Sequence, residues 1–200
     1  MTNGLTYGIF IYEQVAELDF VGPLQVFAAS NQLLGGGRVV TIGQDAAPLR
    51  GVGGLRMVPD HGFEDAPKLD VLLLPGTAEI NAYALGNDKA IDWVREQYDQ
   101  VEWMTAVCTG GLILQKAGLL KGRKATTHWM LMDALARDPD VTELPDMRYV
   151  RDGKVVTSQG ISAGIDMALW LVGEIHTPDH ARMVRRILQY DPAPPYAAEV

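Results

Sequence analysis

Short runs of uninterrupted apolar residues recur along the chain, separated by stretches in which apolar positions return every three or four residues. "YGIFIY" (7–12), "VVTIG" (39–43), "VLLLPG" (71–76) and "VEWMTAV" (101–107) predict strands buried on both faces, because little polar alternation interrupts them. Helical periodicity lies between. Gly22-Pro23 is expected to open a helix running to about Leu34, since proline at a first helical position loses no hydrogen bond. Asp88 is expected to cap a second helix through Gln100, and Thr109 to begin a third that ends at Gly118. Ser162 is the expected cap of "SAGIDMALWLVGEI" (162–175), and Thr177 with Pro178 starts "TPDHARMVRRILQY" (177–190). Alternation of this kind predicts a parallel sheet with helices on both faces. "LRGVGGLRMVPDHGF" (49–63) breaks the pattern, and its glycines between β-prone pieces predict an antiparallel hairpin at the sheet edge. The tail "DPAPPYAAEV" cannot be helical at its prolines and is expected to cover the surface or a partner subunit.

Composition narrows the function classes. The chain has 200 residues, 48% of them hydrophobic and 21% charged, as in an ordinary globular protein with one sizeable core. No stretch approaches the roughly 20 apolar residues of a membrane helix, and no basic region precedes the short apolar run near the N-terminus, so a cytoplasmic location is expected. A net charge of −8 argues against a nucleic-acid partner, which requires concentrated Lys and Arg. The densest basic cluster, "RMVRR" (182–186), reads as a solvated helix face. One cysteine, Cys108, excludes an internal disulfide and leaves a free thiol.

That cysteine lies where a strand is expected to end at Val107 and Thr109-Gly110-Gly111 to start a helix. A sharp strand-to-helix turn is the geometry of a nucleophile elbow, at the carboxyl edge of a parallel sheet where ligands bind. The helix N-terminus behind it is expected to lower the thiol pKa. A lone cysteine is also among the most commonly buried residue types, so a core role stands beside the nucleophilic one. The backbone N–H groups of Gly76, Thr77 and Thr109 are candidates for an oxyanion-type hole, although Pro75-Gly76 equally marks a plain turn. Of the acids in "YEQVAELDFVGP" (12–23), Asp19 stands between Leu18 and Phe20 in the loop before the helix start. Burial would raise its pKa and let it give and take a proton. His128 with Asp133 invites a Cys-His-Asp triad, but a single histidine in a β-like stretch is more often structural. His61, His176 and His180 show no ligand spacing, so no metal is expected.

The stretches "AVCTGGLILQKAGLLKGRKATTHW" (106–129), "ELDFVGP" (17–23), "LLLPG" (72–76), "GISAGIDMAL" (160–169) and "QYDPAPPY" (189–196) resemble the ThiJ/PfpI superfamily, and within it the isocyanide hydratases. The resemblance spans nearly the whole chain. It implies one domain over 1–200, a flavodoxin-like three-layer α/β sandwich with a mostly parallel sheet, and a homodimer. It further implies Cys108 as nucleophile, Asp19 as its acid–base partner, Gly160 and Ile161 at the substrate pocket, a small-molecule substrate and no cofactor. "ATTHW" and "VCTG" are shared with the amidotransferase-like ligand domains of AraC-type regulators, so a ligand or redox sensor is the competing class, beside a glyoxalase- or deglycase-like stress protein. Thr109 stands where peptidase-like members carry histidine. Thr77 and "SQGIS" (158–162) depart from the usual hydratase pattern at the pocket.

Overall fold

A computed structural model describes residues 4–192. The expected tail lies almost wholly outside the described residues.

The apolar runs form the centre of a six-stranded sheet in the order β2-β1-β5-β6-β10-β9. These strands are β1 (Thr6–Phe10), β2 (Arg38–Ile42), β5 (Val71–Leu74), β6 (Trp103–Val107), β9 (Tyr149–Asp152) and β10 (Val155–Ser158). All neighbours pair in parallel except β9 with β10. All four residues of β5 are fully buried, as expected for a strand covered on both faces. Strand alternation distributes the layers. Tyr7 stacks on Phe27 of α1 (Glu17–Leu34) with ring centroids 4.3 Å apart, whereas Phe10, on the opposite face of β1, packs against Trp93 of α2 (Asp88–Gln100) at 5.9 Å. α5 (Ala163–Ile175) and α6 (Pro178–Ile187) pack with α1, while α3 (Gly111–Lys116) packs with α2. The result is a three-layer α/β sandwich.

Several boundaries differ from expectation. α1 begins at Glu17 and carries Pro23 in its interior, so Glu17 and Asp19 stand in the first turn of a helix and not in a loop. Asn87, not Asp88, caps α2, its side chain accepting from the Ala90 amide at 3.2 Å; Asn reaches that amide from the position just outside the helix. Ser162 stands before α5 without a capping bond, because its hydroxyl accepts from Arg148 at 3.3 Å. Thr177 caps α6 as expected, and Arg182, Arg185 and Arg186 lie exposed. The glycine-rich segment forms the hairpin β3 (Leu49–Arg50) and β4 (Arg56–Met57), but as a separate two-stranded sheet. It reaches the central sheet through the Ile42–His61 bridge. Two short strands, β7 (Lys124–Ala125) and β8 (Thr142–Glu143), pair in parallel, and α4 (Met132–Leu135) lies between them in sequence. The β9–β10 hairpin is an element that the apolar pattern does not predict; its signal is Asp152-Gly153 between β-prone runs, with Gly153 at φ 62°. Among the described residues no helix is long and apolar enough to cross a membrane.

Candidate active site

β1, β5 and β6 are consecutive in the sheet, so the segments leaving their carboxyl ends meet at one edge. β6 stops at Val107 and the chain turns at Cys108, which adopts φ 59°. This left-handed conformation costs a non-glycine residue roughly 1–2 kcal/mol and is held by its surroundings. The Cys108 amide donates to Gln159 O at 3.2 Å, and Thr127 Oγ1 donates to Cys108 O at 2.7 Å. A single 3₁₀ turn (Cys108–Gly110) then leads into α3. A Cβ at Gly110 would lie 2.0 Å from Leu74 O, so the elbow fits against β5 only with glycine there. Gly110→Ala should destabilise the fold by about 1–3 kcal/mol or more, measured by denaturant unfolding, because backbone would have to move.

Asp19 is fully buried in the first turn of α1. Its Oδ2 accepts from the Gly76 amide at 2.9 Å. Oδ1 has no hydrogen-bond partner among the described residues, and the Cys108 thiol is the side chain that favours the ionised carboxyl. Burial pushes the Asp19 carboxyl from 3.8 up to about 6, against the opposing pull of the Gly76 amide and the thiol. Burial, and then the Asp19 charge, push the Cys108 thiol up to about 12, outweighing the Thr109 amide and hydroxyl. The expected lowering of the thiol pKa by the helix terminus is therefore corrected. At neutral pH the pair is a thiol facing a mostly ionised carboxylate. Tyr12, beside them, donates its hydroxyl to Pro75 O at 2.9 Å, and burial, with the Asp19 carboxylate nearby, keeps its phenol protonated.

The expected oxyanion donors are largely engaged elsewhere. The Gly76 amide holds Asp19, and the Thr77 amide donates to Thr109 Oγ1 at 2.8 Å, while that hydroxyl donates back to Thr77 O at 2.8 Å. This reciprocal pair locks the β5 turn to the elbow. Of the three amides, only that of Thr109 faces the sulfur.

Cys108 opens into a cavity of about 260 Å³. Thr77, Thr109, His128 and Ile161 line it, as do Ala16, Val52, Ala78, Met130 and Leu131, which the sequence did not single out. Gly160 is absent from the wall and serves a different purpose: a Cβ there would lie 2.0 Å from the His128 ring, so glycine seats the imidazole. His128 Nδ1 accepts from the Met130 amide at 3.3 Å, capping the turn Trp129–Leu131. Asp133 is exposed in α4 and, among the described residues, makes no bond to His128. The triad is not assembled. Among the described residues no group of three His, Cys, Asp or Glu side chains is arranged to hold a metal ion.

Comparison with known proteins identifies the family of the chain. The chain is 40% identical to an isonitrile hydratase of Pseudomonas putida over 193 residues, 96% of this chain and 81% of the relative. It is 25% identical to the HTH-type transcriptional regulator GbdR of Pseudomonas aeruginosa, matching 94% of this chain but 52% of the regulator. A ThiJ/PfpI family protein from Pseudomonas syringae superposes with a TM-score of 0.90 at 32% identity, over all of this chain and 80% of that one. DJ-1beta of Drosophila melanogaster shares the fold with a TM-score of 0.82 at 20% identity, over 96% of this chain and 100% of that one. The DJ-1/PfpI family model matches residues 8–174, an interval that contains the elbow, the buried carboxyl and the cavity wall, and the chain belongs to the DJ-1/PfpI family.

Proposed function

We propose that the protein hydrates isocyanides to N-substituted formamides, with Cys108 as nucleophile and Asp19 as proton carrier, without a cofactor, and as the homodimer that the family resemblance implies. The observation that carries this reading is the buried Asp19 carboxyl set against the sole cysteine, on a strained elbow that opens into a small, mostly apolar cavity. The 40% identity to an isonitrile hydratase supports it.

The chemistry follows from the groups. An isocyanide, R–N≡C, has an electrophilic terminal carbon and no leaving group, so addition must be accompanied by proton delivery. The Cys108 sulfur bonds to that carbon while its proton passes through the Asp19 carboxylate to the same carbon, giving a thioimidate, R–N=CH–S–Cys. Water then adds: its hydroxyl bonds to carbon and its proton reaches nitrogen. Cleavage of the C–S bond forms the carbonyl, and the hydroxyl proton returns through Asp19 to sulfur. The products are R–NH–CHO and the free thiol.

A carbonyl substrate would instead develop an alkoxide needing preorganised donors. The engaged Gly76 and Thr77 amides leave little for that purpose, which favours an isocyanide over a dicarbonyl such as methylglyoxal. Incubation with alkyl and aryl isocyanides and with methylglyoxal, followed by proton NMR, should show the formyl signal of the formamide. Consumption of methylglyoxal with every isocyanide untouched would replace this reading by the glyoxalase-like one.

A further inference from the structure

The segment entering α1 and the β3–β4 hairpin form a clasp that the chemistry above does not use. The Glu17 carboxylate, in the same helical turn as Asp19, accepts from the Gly53 amide at 2.9 and 3.0 Å and from the Leu55 amide at 3.3 Å. A Cβ at Gly51 would lie 2.3 Å from Glu17 Oε1, and one at Gly53 would lie 3.1 Å away, so both positions are shaped to the carboxylate. The hairpin is tied further by Gln14 N to Arg50 O at 2.7 Å and Val52 N to Val15 O at 3.1 Å. Burial opposes the ionised form of Glu17, but the amides of Gly53, Leu55 and Gly54 overcome it and hold the carboxyl below its ordinary range.

Val52 lies between Gly53, whose amide holds Glu17, and Gly51, which is packed against the same carboxylate. It lines the Cys108 cavity while remaining 46% exposed, which places it on the rim, together with Met130 and Ile161 from two other elements. The cavity, about 260 Å³, falls below the roughly 300–1,000 Å³ of pockets for drug-sized ligands. A loop tip free to swing would impose no such limit.

We propose that Glu17 clamps the hairpin so that Val52 sets the size limit of whatever reaches Cys108. Val52 is the specificity-determining contact and Glu17 its positioning residue. Where the substrate class is concerned this rests on the hydratase reading, and it narrows that class to isocyanides with small or slender substituents; the size limit itself rests on the hairpin alone.

Two readouts on the full chain test the clasp. Cys108 is the only cysteine, so alkylation reports on that thiol alone. The first readout is the rate ratio of N-(1-pyrenyl)maleimide to iodoacetamide, and the second is kcat and KM for adamantyl against n-butyl isocyanide. In Val52→Ala the alkylation ratio should rise about tenfold, the discrimination that a few carbons supply in an apolar pocket. Glu17→Gln and Gly51→Ala should raise it likewise, with faster hydrogen exchange at the Gly53 and Leu55 amides and a gain for adamantyl isocyanide in KM more than in kcat. An unchanged ratio in Val52→Ala overturns the proposal. So does an unchanged ratio in Glu17→Gln and Gly51→Ala when exchange shows the hairpin released, or unchanged exchange in both. Shifted alkylation ratios with no isocyanide turned over would keep the clasp and remove the hydratase reading; turnover with unshifted ratios would do the reverse.

Discussion

Asp19→Asn should yield a protein that is more stable at neutral pH and nearly inactive. Folding moves this carboxyl from 3.8 to about 6, so between those values the folded state holds a proton that the unfolded chain has released. Its favourable contribution is therefore complete below pH 3.8 and lost as pH rises through about 6, leaving at neutral pH a penalty of about 2–3 kcal/mol. Asparagine removes the charge and keeps an oxygen that can accept from the Gly76 amide. Chemical denaturation at pH 7 should show a gain of that order, shrinking toward pH 4. Activity should move the opposite way, by about 10²–10⁴-fold in kcat, because a positioned acid–base group is gone. In the wild type, kcat/KM should fall as pH drops below about 6, where Asp19 becomes protonated and cannot accept the thiol proton. The variant should lack that limb. His128→Ala should cost far less, since its Nδ1 is engaged by the Met130 amide and, among the described residues, no carboxylate bonds to it. Turnover abolished in His128→Ala but near wild type in Asp19→Asn would reverse the assignment.

The larger expected effect is at Cys108. Cys108→Ala should fold with an unchanged circular dichroism spectrum and lose turnover by more than about 10⁴-fold, the scale seen when a nucleophile acting within a catalytic unit is removed. Retained activity would end the covalent mechanism. Cys108→Gly offers a separate check on the elbow, because glycine adopts φ 59° without the steric cost that alanine, like cysteine, bears there. The glycine variant should be more stable than the alanine variant by about 1 kcal/mol, and equal unfolding midpoints would show that the left-handed conformation stores no strain.

Much of the architecture was legible in the chain itself. Apolar runs long enough for a strand and lacking polar alternation have no stable place except between two helical layers, and β1, β5 and β6 occupy that place. The elbow was legible for the same local reason: an apolar run ending in Cys108-Thr109-Gly110-Gly111 leaves the chain nowhere to go but into a tight turn, and Gly110 alone fits against Leu74 O. Pro23 misled because its fixed φ suits a helix interior as well as a first turn when packing with α5 and α6 outweighs the missing hydrogen bond.

Everything that depends on charge between distant segments was decided by the tertiary structure. The thiol pKa illustrates it: helix position predicts a lowered value, but burial and a carboxylate 89 positions away in sequence raise it to about 12. The engagement of the Gly76 and Thr77 amides, the seating of His128 by Gly160, and the grip of Glu17 on Gly53 likewise join residues with no local signal. Secondary structure answers to neighbours three or four residues apart, whereas desolvation and hydrogen bonding at this site answer to whatever the sheet order brings to one edge.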